Sequence, residues 1–123
     1  MSKQFTDICF ITQDVLRLSA FYENVFNSKA EGDEVHSVMS LDGMALTFMK
    51  EKTPAFYYEF ENGPQNTIIS FTVDDADGEY QRLLPLGAKM LNEPITHPWG
   101  AKSFQFQDPD GNILNFRSFP KEG

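Results

Sequence analysis

Three oxygen-bearing side chains surround a glycine near the end of the chain, and side chains of this kind can hold a cation. They are Asp108, Asp110 and Asn112, within the stretch WGAKSFQFQDPDGN. A calcium loop of the EF-hand type needs its glycine at the sixth position and a glutamate at the twelfth. Counted from Asp108, the glycine is fourth and Phe119 is twelfth, which excludes this kind of site. Proline followed by Asp-Gly-Asn between two alternating apolar runs predicts instead the turn of a β-hairpin.

The histidines and the cysteine do not form a nucleophilic set by their spacing. His36 lies in a predicted strand and His97 lies just before a loop, so both are interpreted as ordinary surface or hydrogen-bonding histidines. Cys9 cannot form an internal disulfide because it is the only cysteine, and its apolar neighbours predict a small buried side chain. Neither a Ser/His/Asp arrangement nor a glycine-rich phosphate loop before a helix is present. Nothing in the sequence marks a nucleophile.

The chain contains two copies of one pattern of strands, turns and a helix, and these elements would position any functional site. The segments FITQD and FTVDD each indicate a strand end, an aspartate and then a helix, and DGMALTF and DGNILNF each indicate a turn followed by a strand. Asp14 is the predicted N-cap of the first helix and Asn27 its stop. Asp75 or Asp74 is expected to cap the second helix, and Gly87 to end it. Each half therefore predicts strand, helix and three strands.

The predicted strands span residues 7–12, 29–32, 35–41 and 44–50, then 67–73, 88–96, 102–107 and 112–118. The fold class is α+β, and the chain is expected to be one domain of residues 1–123. Its first module covers about residues 5–52, its connector 53–66 and its second module about 67–119. The apolar positions of the two helices predict buried stripes of Leu18, Phe21, Tyr22 and Val25, and of Ala76, Tyr80, Leu83 and Leu84. Pro85 is expected to shorten or kink the second helix.

Strand alternation sorts the side chains onto two faces of each sheet. One face is uniformly apolar and is expected to pack beneath the helices: Ile8, Phe10, Leu46, Phe48, Ile69, Phe71, Val73, Leu114 and Phe116. The other is mixed: Asp7, Cys9, Ala45, Thr47, Met49, Ile68, Ser70, Thr72, Ile113, Asn115 and Arg117. A mixed face is typical of a curved sheet that encloses a pocket, and also of an ordinary solvated sheet.

Composition limits the possible partners. The net charge is −8 and the ten lysines and arginines are scattered, which disfavours binding to nucleic acid. The acidity could favour a cationic ligand, although it could also serve solubility alone. No apolar run approaches the length of a membrane span, and the N-terminus lacks the apolar region of a signal peptide. A cytoplasmic protein without membrane contact is therefore expected.

The repeated βαβββ pattern resembles the glyoxalase/bleomycin resistance/dioxygenase group, the vicinal oxygen chelate superfamily. The resemblance extends from about Phe5 to Phe119, and its most specific part is Trp99-Gly100 followed by the DPDGN hairpin. It implies that two tandem modules form a curled, cup-shaped mixed sheet with helices on its outer face. It also implies a homodimer, because matching edges of two chains commonly complete this assembly.

The resemblance also assigns four positions to metal ligands. A first-strand ligand stands seven residues before the helix-capping aspartate, and a last-strand ligand stands four residues after the turn glycine. These positions hold Asp7, Thr47, Ile68 and Asn115. Since isoleucine cannot bind a metal and threonine and asparagine are weak neutral ligands, we expect no metal and no other cofactor.

The leading hypothesis is a metal-free binding protein, similar to the bleomycin-resistance branch, that sequesters a planar or cationic small molecule such as an antibiotic. Aromatic rings can stack on flat ligands and attract cations, and Trp99 in its loop is the strongest single candidate. The expected ligand-binding residues are Asp7, Thr47, Met49, Phe56, Tyr57, Ile68, Trp99, Asn115 and Arg117.

Two other classes remain open. The first is a glyoxalase-like lyase, isomerase or dioxygenase, in which Asp7 and Asn115 hold a metal together with water or a group from a second subunit. In a metal-free variant of this enzyme Asp7 acts as a general base, provided that burial favours its protonated form. The other class is a regulatory or structural dimer without a ligand.

Overall fold

The computed structural model describes residues 5–53 and 68–120. The chain divides into two compact units, Met1–Glu61 and Asn62–Gly123. Phe56 and Tyr57, two of the expected ligand-binding residues, lie outside the described residues. No helix within the described ranges is long and apolar enough to cross a membrane.

The first unit contains one helix and a four-stranded mixed sheet. Its elements are β1 (Asp7–Thr12), α1 (Val15–Phe26), β2 (Glu31–Gly32), β3 (His36–Leu41) and β4 (Met44–Lys50). The strand order is β1-β4-β3-β2, in which β1 and β4 are parallel and the other pairs antiparallel. Asp42 and Gly43 form the tight turn between β3 and β4, and Gly43 has a φ of 81°. The predicted βαβββ order and the Asp-Gly turn are confirmed.

Helix α1 begins and ends at the predicted residues. The Oδ1 atom of Asp14 accepts a hydrogen bond from the backbone N–H of Arg17 at 3.1 Å, and Asn27 ends the helix in the left-handed conformation. The ring of Tyr22 is fully buried and lies 5.1 Å from the ring of Phe10 and 5.3 Å from that of Phe48. The apolar face of this sheet therefore packs beneath α1, as its alternation predicts.

The turn between β2 and β3 is held by a carboxylate. Asp33 accepts hydrogen bonds from the backbone N–H groups of Val35, at 2.9 Å, and His36, at 3.0 Å. These two bonds, first that of Val35 and then that of His36, hold the pKa of Asp33 below its usual value. The ionised side chain thus fixes the entry of the chain into β3.

The second unit repeats this arrangement with one additional short strand. Its elements are β5 (Ile68–Thr72), α2 (Ala76–Leu83), a 3₁₀ turn (Leu84–Leu86), β6 (Lys89–Met90), β7 (Ile95–Thr96), β8 (Lys102–Gln107) and β9 (Ile113–Ser118). The strand order is β5-β9-β8-β6, and β7 also pairs with β8. Strands β5 and β9 are parallel, like β1 and β4 in the first unit. The α+β class and the two tandem modules are thus confirmed, whereas the single domain and the cup shape stay predictions.

The prediction of one continuous strand over residues 88–96 is wrong, because the structure has two short strands there, β6 and β7, with a break between them. Pro94 has no N–H to donate to a neighbouring strand. The side chain of Asn92 takes the place of a backbone carbonyl of the ladder, because its Oδ1 accepts a hydrogen bond from the N–H of Gln105 at 3.0 Å. The chain therefore leaves the ladder after Leu91, whose N–H still donates to the carbonyl of Gln105, and returns at Ile95.

The start and end of α2 differ from the prediction in two respects. Asp75 occupies the N-cap position but its side chain makes no capping bond. The Oγ atom of Ser118, at the end of β9, accepts from the N–H of Ala76 at 3.0 Å instead. Pro85 lies in the 3₁₀ turn that ends the helix, and this turn leaves Leu84 exposed although a buried position was expected.

The DPDG stretch is the expected hairpin turn between β8 and β9. The Oδ1 atom of Asp108 accepts from the N–H groups of Asp110 and Asn112, both at 2.9 Å, and its Oδ2 accepts from the Asn112 side chain at 2.7 Å. Gly111 has a φ of 90°, in the region that glycine favours. The acidic side chain that could have held a cation is therefore used to hold the turn.

Candidate functional site

In the first unit, Asp7 and Thr47 lie together on the sheet face opposite α1. The parallel pairing of β1 with β4 places Cys9 beside Thr47, and the hydroxyl of Thr47 donates to Oδ2 of Asp7 at 2.9 Å. Met49 follows on the same face and is half-buried. Three of the expected ligand-binding residues are therefore neighbours on two adjacent strands. Cys9 is exposed here, so its predicted burial is wrong, because it lies on this polar face and not beneath the helix.

The environment of Asp7 does not suit the proposed general base. That role required burial of the carboxyl group, whereas Asp7 is exposed at the start of β1. An exposed carboxylate of this kind can bind a cationic group of a ligand.

In the second unit, Asn115 lies on the face opposite α2 and takes part in a row of polar side chains. Gln105 donates from its Nε2 to Oδ1 of Asn115, and Asn115 donates from its Nδ2 to the hydroxyl oxygen of Ser70 at 3.2 Å. Asn92 donates from its Nδ2 to Oε1 of Gln105 at the other end of the row. These four side chains span strands β5, β9 and β8 and the segment after β6. We call them the amide row.

Ile68 and Arg117 flank the amide row on the same face. Ile68 pairs with Ile113 at the start of β5 and is 55% exposed. Arg117 lies two residues beyond Asn115 on β9, and its guanidinium carbon is 5.8 Å from the centre of the Phe119 ring. This face thus offers an apolar end, a central row of amides and a cationic end.

Trp99 lies in the loop between β7 and β8 and is 73% exposed. Its ring stacks on the ring of His97, with centroids 4.7 Å apart and planes 2° from parallel. The Nε2 atom of His97 is 2.7 Å from the hydroxyl oxygen of the buried Ser103, and the N–H of Gly100 donates to the His97 carbonyl. The exposed indole is therefore held in place by a ring that is itself anchored to β8.

A cavity of about 570 Å³ lies elsewhere in the second unit, beside the start of α2. Its lining includes Asp74, Asp75, Ser118 and Phe119, and Lys102 reaches Asp77 there at 2.6 Å. Of the expected ligand-binding residues that the structure describes, none lines it.

Sequence reasoning missed several of the residues that organise these faces. Asn92, Gln105 and Ser103 were not singled out, and His97 was interpreted as an ordinary histidine. The alternation in SFQFQ was a usable signal, because it places Ser103, Gln105 and Gln107 on the face opposite the buried Phe104 and Phe106. The side-chain bonds across strands could not be read from one strand alone.

The four positions that the resemblance assigns to metal ligands do not form a strong donor set. Asp7 is the one carboxylate, Ile68 has no donor atom, and the carbonyl oxygen of Asn115 accepts from Gln105. Over the described ranges, no three His, Cys, Asp or Glu side chains are grouped so that they could hold a metal ion. Divalent transition metals are usually held by three or four N, O or S ligands, which these side chains do not supply.

Comparison with known proteins identifies a family and several relatives. The model of the Glyoxalase/Bleomycin resistance protein/Dioxygenase superfamily matches residues 4–116. The Metallothiol transferase FosB of Lysinibacillus sphaericus (strain C3-41) is 29% identical over 121 residues, which cover 90% of this chain and 79% of that protein.

Solved structures share the fold at lower identity. A glyoxalase/bleomycin resistance protein/dioxygenase from Nocardioides has a TM-score of 0.81 and 18% identity, covering 100% of this chain and 87% of its own. The genomically encoded fosfomycin resistance protein FosX from Listeria monocytogenes has a TM-score of 0.78 and 18% identity. The match covers 98% of this chain and 96% of the FosX chain. At 18% identity, each of these two structures shows that it shares its fold with this chain and nothing more.

These comparisons correct the expectation that the protein uses no metal cofactor. That expectation is contradicted by the relative from L. sphaericus, which is named a metallothiol transferase. The expectation of no metal was based on the side chains at four positions alone. Such a count leaves out the oxygen ligands that water and substrate can supply. The side chains at these four positions do not by themselves fit a metal.

Proposed function

Because the chain belongs to the glyoxalase/bleomycin resistance protein/dioxygenase superfamily, we propose that it binds a planar small molecule that stacks on Trp99. The observation that carries this proposal is the stack of Trp99 on His97. A large aromatic ring that is 73% exposed and yet held parallel to a second ring is already in the orientation that a flat ligand needs.

The binding of cationic ligands is the second part of the proposal, and Asp7 in the first unit supports it. The carboxylate of Asp7 is exposed, and its one described hydrogen bond, from Thr47, leaves acceptor positions for a further donor. The net charge of −8 favours the approach of a cation in the same way. Met49 adds a half-buried, polarisable surface on this face of the first unit.

Antibiotics are the compound class we propose. The support is the family itself, which is named for bleomycin resistance, and the likeness of the fold to a fosfomycin resistance protein. Sequestration of such a compound requires binding alone, without a reacting group. We also propose that the protein acts as a homodimer in the cytoplasm.

A thermal-shift screen tests this function. The panel contains planar cationic antibiotics, neutral planar compounds and flexible aliphatic amines as controls. A ligand at 100 times its Kd raises the free energy of unfolding by about 2.7 kcal/mol, which is readily measured as a higher Tm. We expect the planar cationic compounds to raise the Tm and the aliphatic amines to leave it unchanged. Equal shifts for all three groups would contradict the proposal.

A second candidate function is a transferase that attaches a thiol to a small molecule, and the 29% identity to a metallothiol transferase favours it. Protein purified without chelator is analysed for metal and then incubated with fosfomycin and a low-molecular-weight thiol. Stoichiometric metal together with a thiol adduct would support the transferase over sequestration. Unchanged fosfomycin after incubation with added divalent metal would contradict it.

A further inference from the structure

The amide row has a single hydrogen-bonding direction. Asn92 fixes Gln105 twice, because its Oδ1 accepts from the Gln105 backbone N–H and its Nδ2 donates to the Gln105 Oε1. Because the Oε1 atom of Gln105 accepts from Asn92, the Nε2 group of Gln105 faces Asn115. This Nε2 group donates to Oδ1 of Asn115. The orientation of each amide is thus set by the one before it.

The same direction continues to Ser70. Asn115 accepts with its oxygen and therefore presents its Nδ2 group to Ser70, whose hydroxyl oxygen accepts at 3.2 Å. A hydroxyl has one proton to donate, and accepting a hydrogen bond leaves that proton available. Within residues 5–53 and 68–120 the Ser70 hydroxyl has no acceptor, and the residue is exposed. The row therefore ends in a donor that faces solvent.

A positive charge lies on the same face. Arg117 pairs with Thr72, two residues beyond the pair of Asn115 with Ser70, so its side chain and that of Ser70 share one face of the sheet. Its guanidinium lies over the ring of Phe119, and the described part of the chain supplies no carboxylate partner for it. A guanidinium and a directed hydroxyl are the groups that bind the oxygens of a carboxylate, phosphate or phosphonate.

We infer that Ser70 and Arg117 bind different oxygens of an anionic group of the ligand, and that Asn92, Gln105 and Asn115 are positioning residues that direct the Ser70 hydroxyl toward that group. This inference rests on the proposed small-molecule function and adds an anionic group to the planar ligand that is proposed to stack on Trp99 of the same unit. It assigns the amide at position 115 a role in orienting a hydroxyl donor.

Titration with inorganic phosphate, followed by NMR of the backbone and side-chain amides, tests the donor. The matched variants are Ser70→Ala and Thr72→Val, which each remove one exposed hydroxyl from β5. We expect Ser70→Ala to weaken phosphate binding about tenfold, since a hydrogen bond to a charged group contributes at least that much. Thr72→Val should leave the affinity within twofold, and Ser70→Thr should restore it. Equal weakening by Ser70→Ala and Thr72→Val would overturn the inference.

The positioning role needs its own pair of variants. Gln105→Met removes the donor to Asn115. Gln107→Met changes a glutamine on the same strand and face whose one described side-chain bond is to the Gly111 carbonyl. We expect Gln105→Met to shift the Asn115 side-chain amide resonances and to weaken phosphate binding several-fold, and Gln107→Met to do neither. Unchanged Asn115 resonances in Gln105→Met would overturn the relay.

Failure of this inference is distinguishable from failure of the proposed function. If wild-type protein shows no saturable shifts with millimolar phosphate, the oxyanion site is wrong, while the binding of planar cations is judged separately by their thermal shifts. If phosphate binds but Arg117→Gln leaves its affinity unchanged, the assignment of Arg117 is likewise wrong. Loss of phosphate binding in both Ser70→Ala and Arg117→Gln, with the fold retained in the NMR spectra, would support the site.

Discussion

At the scale of single residues, the groups proposed to bind a ligand differ from structural groups in how many described partners they have. The carboxylate of Asp108 is saturated by the turn that it holds, whereas that of Asp7 has one described partner, the Thr47 hydroxyl. Trp99 similarly has one described ring partner, His97, and remains 73% exposed. Residue type alone did not separate these cases, because the sequence offered both aspartates as candidates.

Replacement of Trp99 by alanine tests the stacking platform. We expect Trp99→Ala to weaken binding of a planar ligand by about 1–3 kcal/mol, through loss of stacking and of buried apolar area. The fold should persist, because the exposed indole contributes little to the core. Isothermal titration gives the affinity and circular dichroism the fold. Unfolding of the variant, or an unchanged affinity for every ligand found, would show that Trp99 is a structural residue.

Replacement of Asp7 by asparagine tests the cationic contact. We expect Asp7→Asn to weaken binding of a cationic ligand by about 0.5–1 kcal/mol, the modest value of an exposed ion pair, and to leave neutral ligands unaffected. Raising the salt concentration should reduce the difference between wild type and variant. Thr47→Val is the control, since it removes the hydroxyl partner and keeps the charge. Equal losses for cationic and neutral ligands would exclude a charge effect.

At the scale of elements, local patterns located most helices and strands, and contacts between distant segments decided the rest. Asp14 caps α1 from the adjacent residue, and the sequence predicted it. Helix α2 is capped by Ser118 from β9, a contact that arises only after β9 has paired with β5. The break in the predicted strand 88–96 has a local cause, Pro94, which the sequence shows, and a distant one, the bond from the Gln105 N–H to Asn92, which the sequence does not show.

The capping of α2 gives a prediction about stability. Ser118→Ala removes the acceptor for the N–H of Ala76 and should lower the free energy of unfolding by about 0.5–2 kcal/mol, as for the loss of an N-cap. Asp75→Ala should cost less, because the Asp75 side chain makes no capping bond. Urea denaturation of both variants provides the comparison. A larger loss for Asp75→Ala would show that the aspartate caps the helix in solution.

At the scale of the whole molecule, the repeated pattern was enough to predict the fold and the family. Two halves with equivalent turns and helix starts predicted the α+β class, the structure adds an equivalent parallel strand pair in each half, and the family model matches residues 4–116. The expectation of no cofactor, by contrast, was wrong. Ligand side chains were counted one position at a time, whereas a metal or a ligand is held by groups that several segments and solvent supply together.

The homodimer is a prediction at this scale. The chain has a mass of 14.0 kDa, and a two-fold assembly should sediment as a species of twice that mass at micromolar concentration. Sedimentation velocity over a range of concentrations measures the association directly. A species of 14.0 kDa alone throughout that range would contradict the dimer.

The most direct test of the central claim is the fluorescence of Trp99 during titration with planar cationic compounds. Trp99 is the only tryptophan in the chain, so its emission reports on the proposed platform without background from another indole. We predict a saturable change in emission with at least one planar compound and none with aliphatic amines of the same charge. Emission that stays unchanged with every planar compound, or that changes equally with the aliphatic amines, would contradict the claim that this protein binds a planar ligand on Trp99.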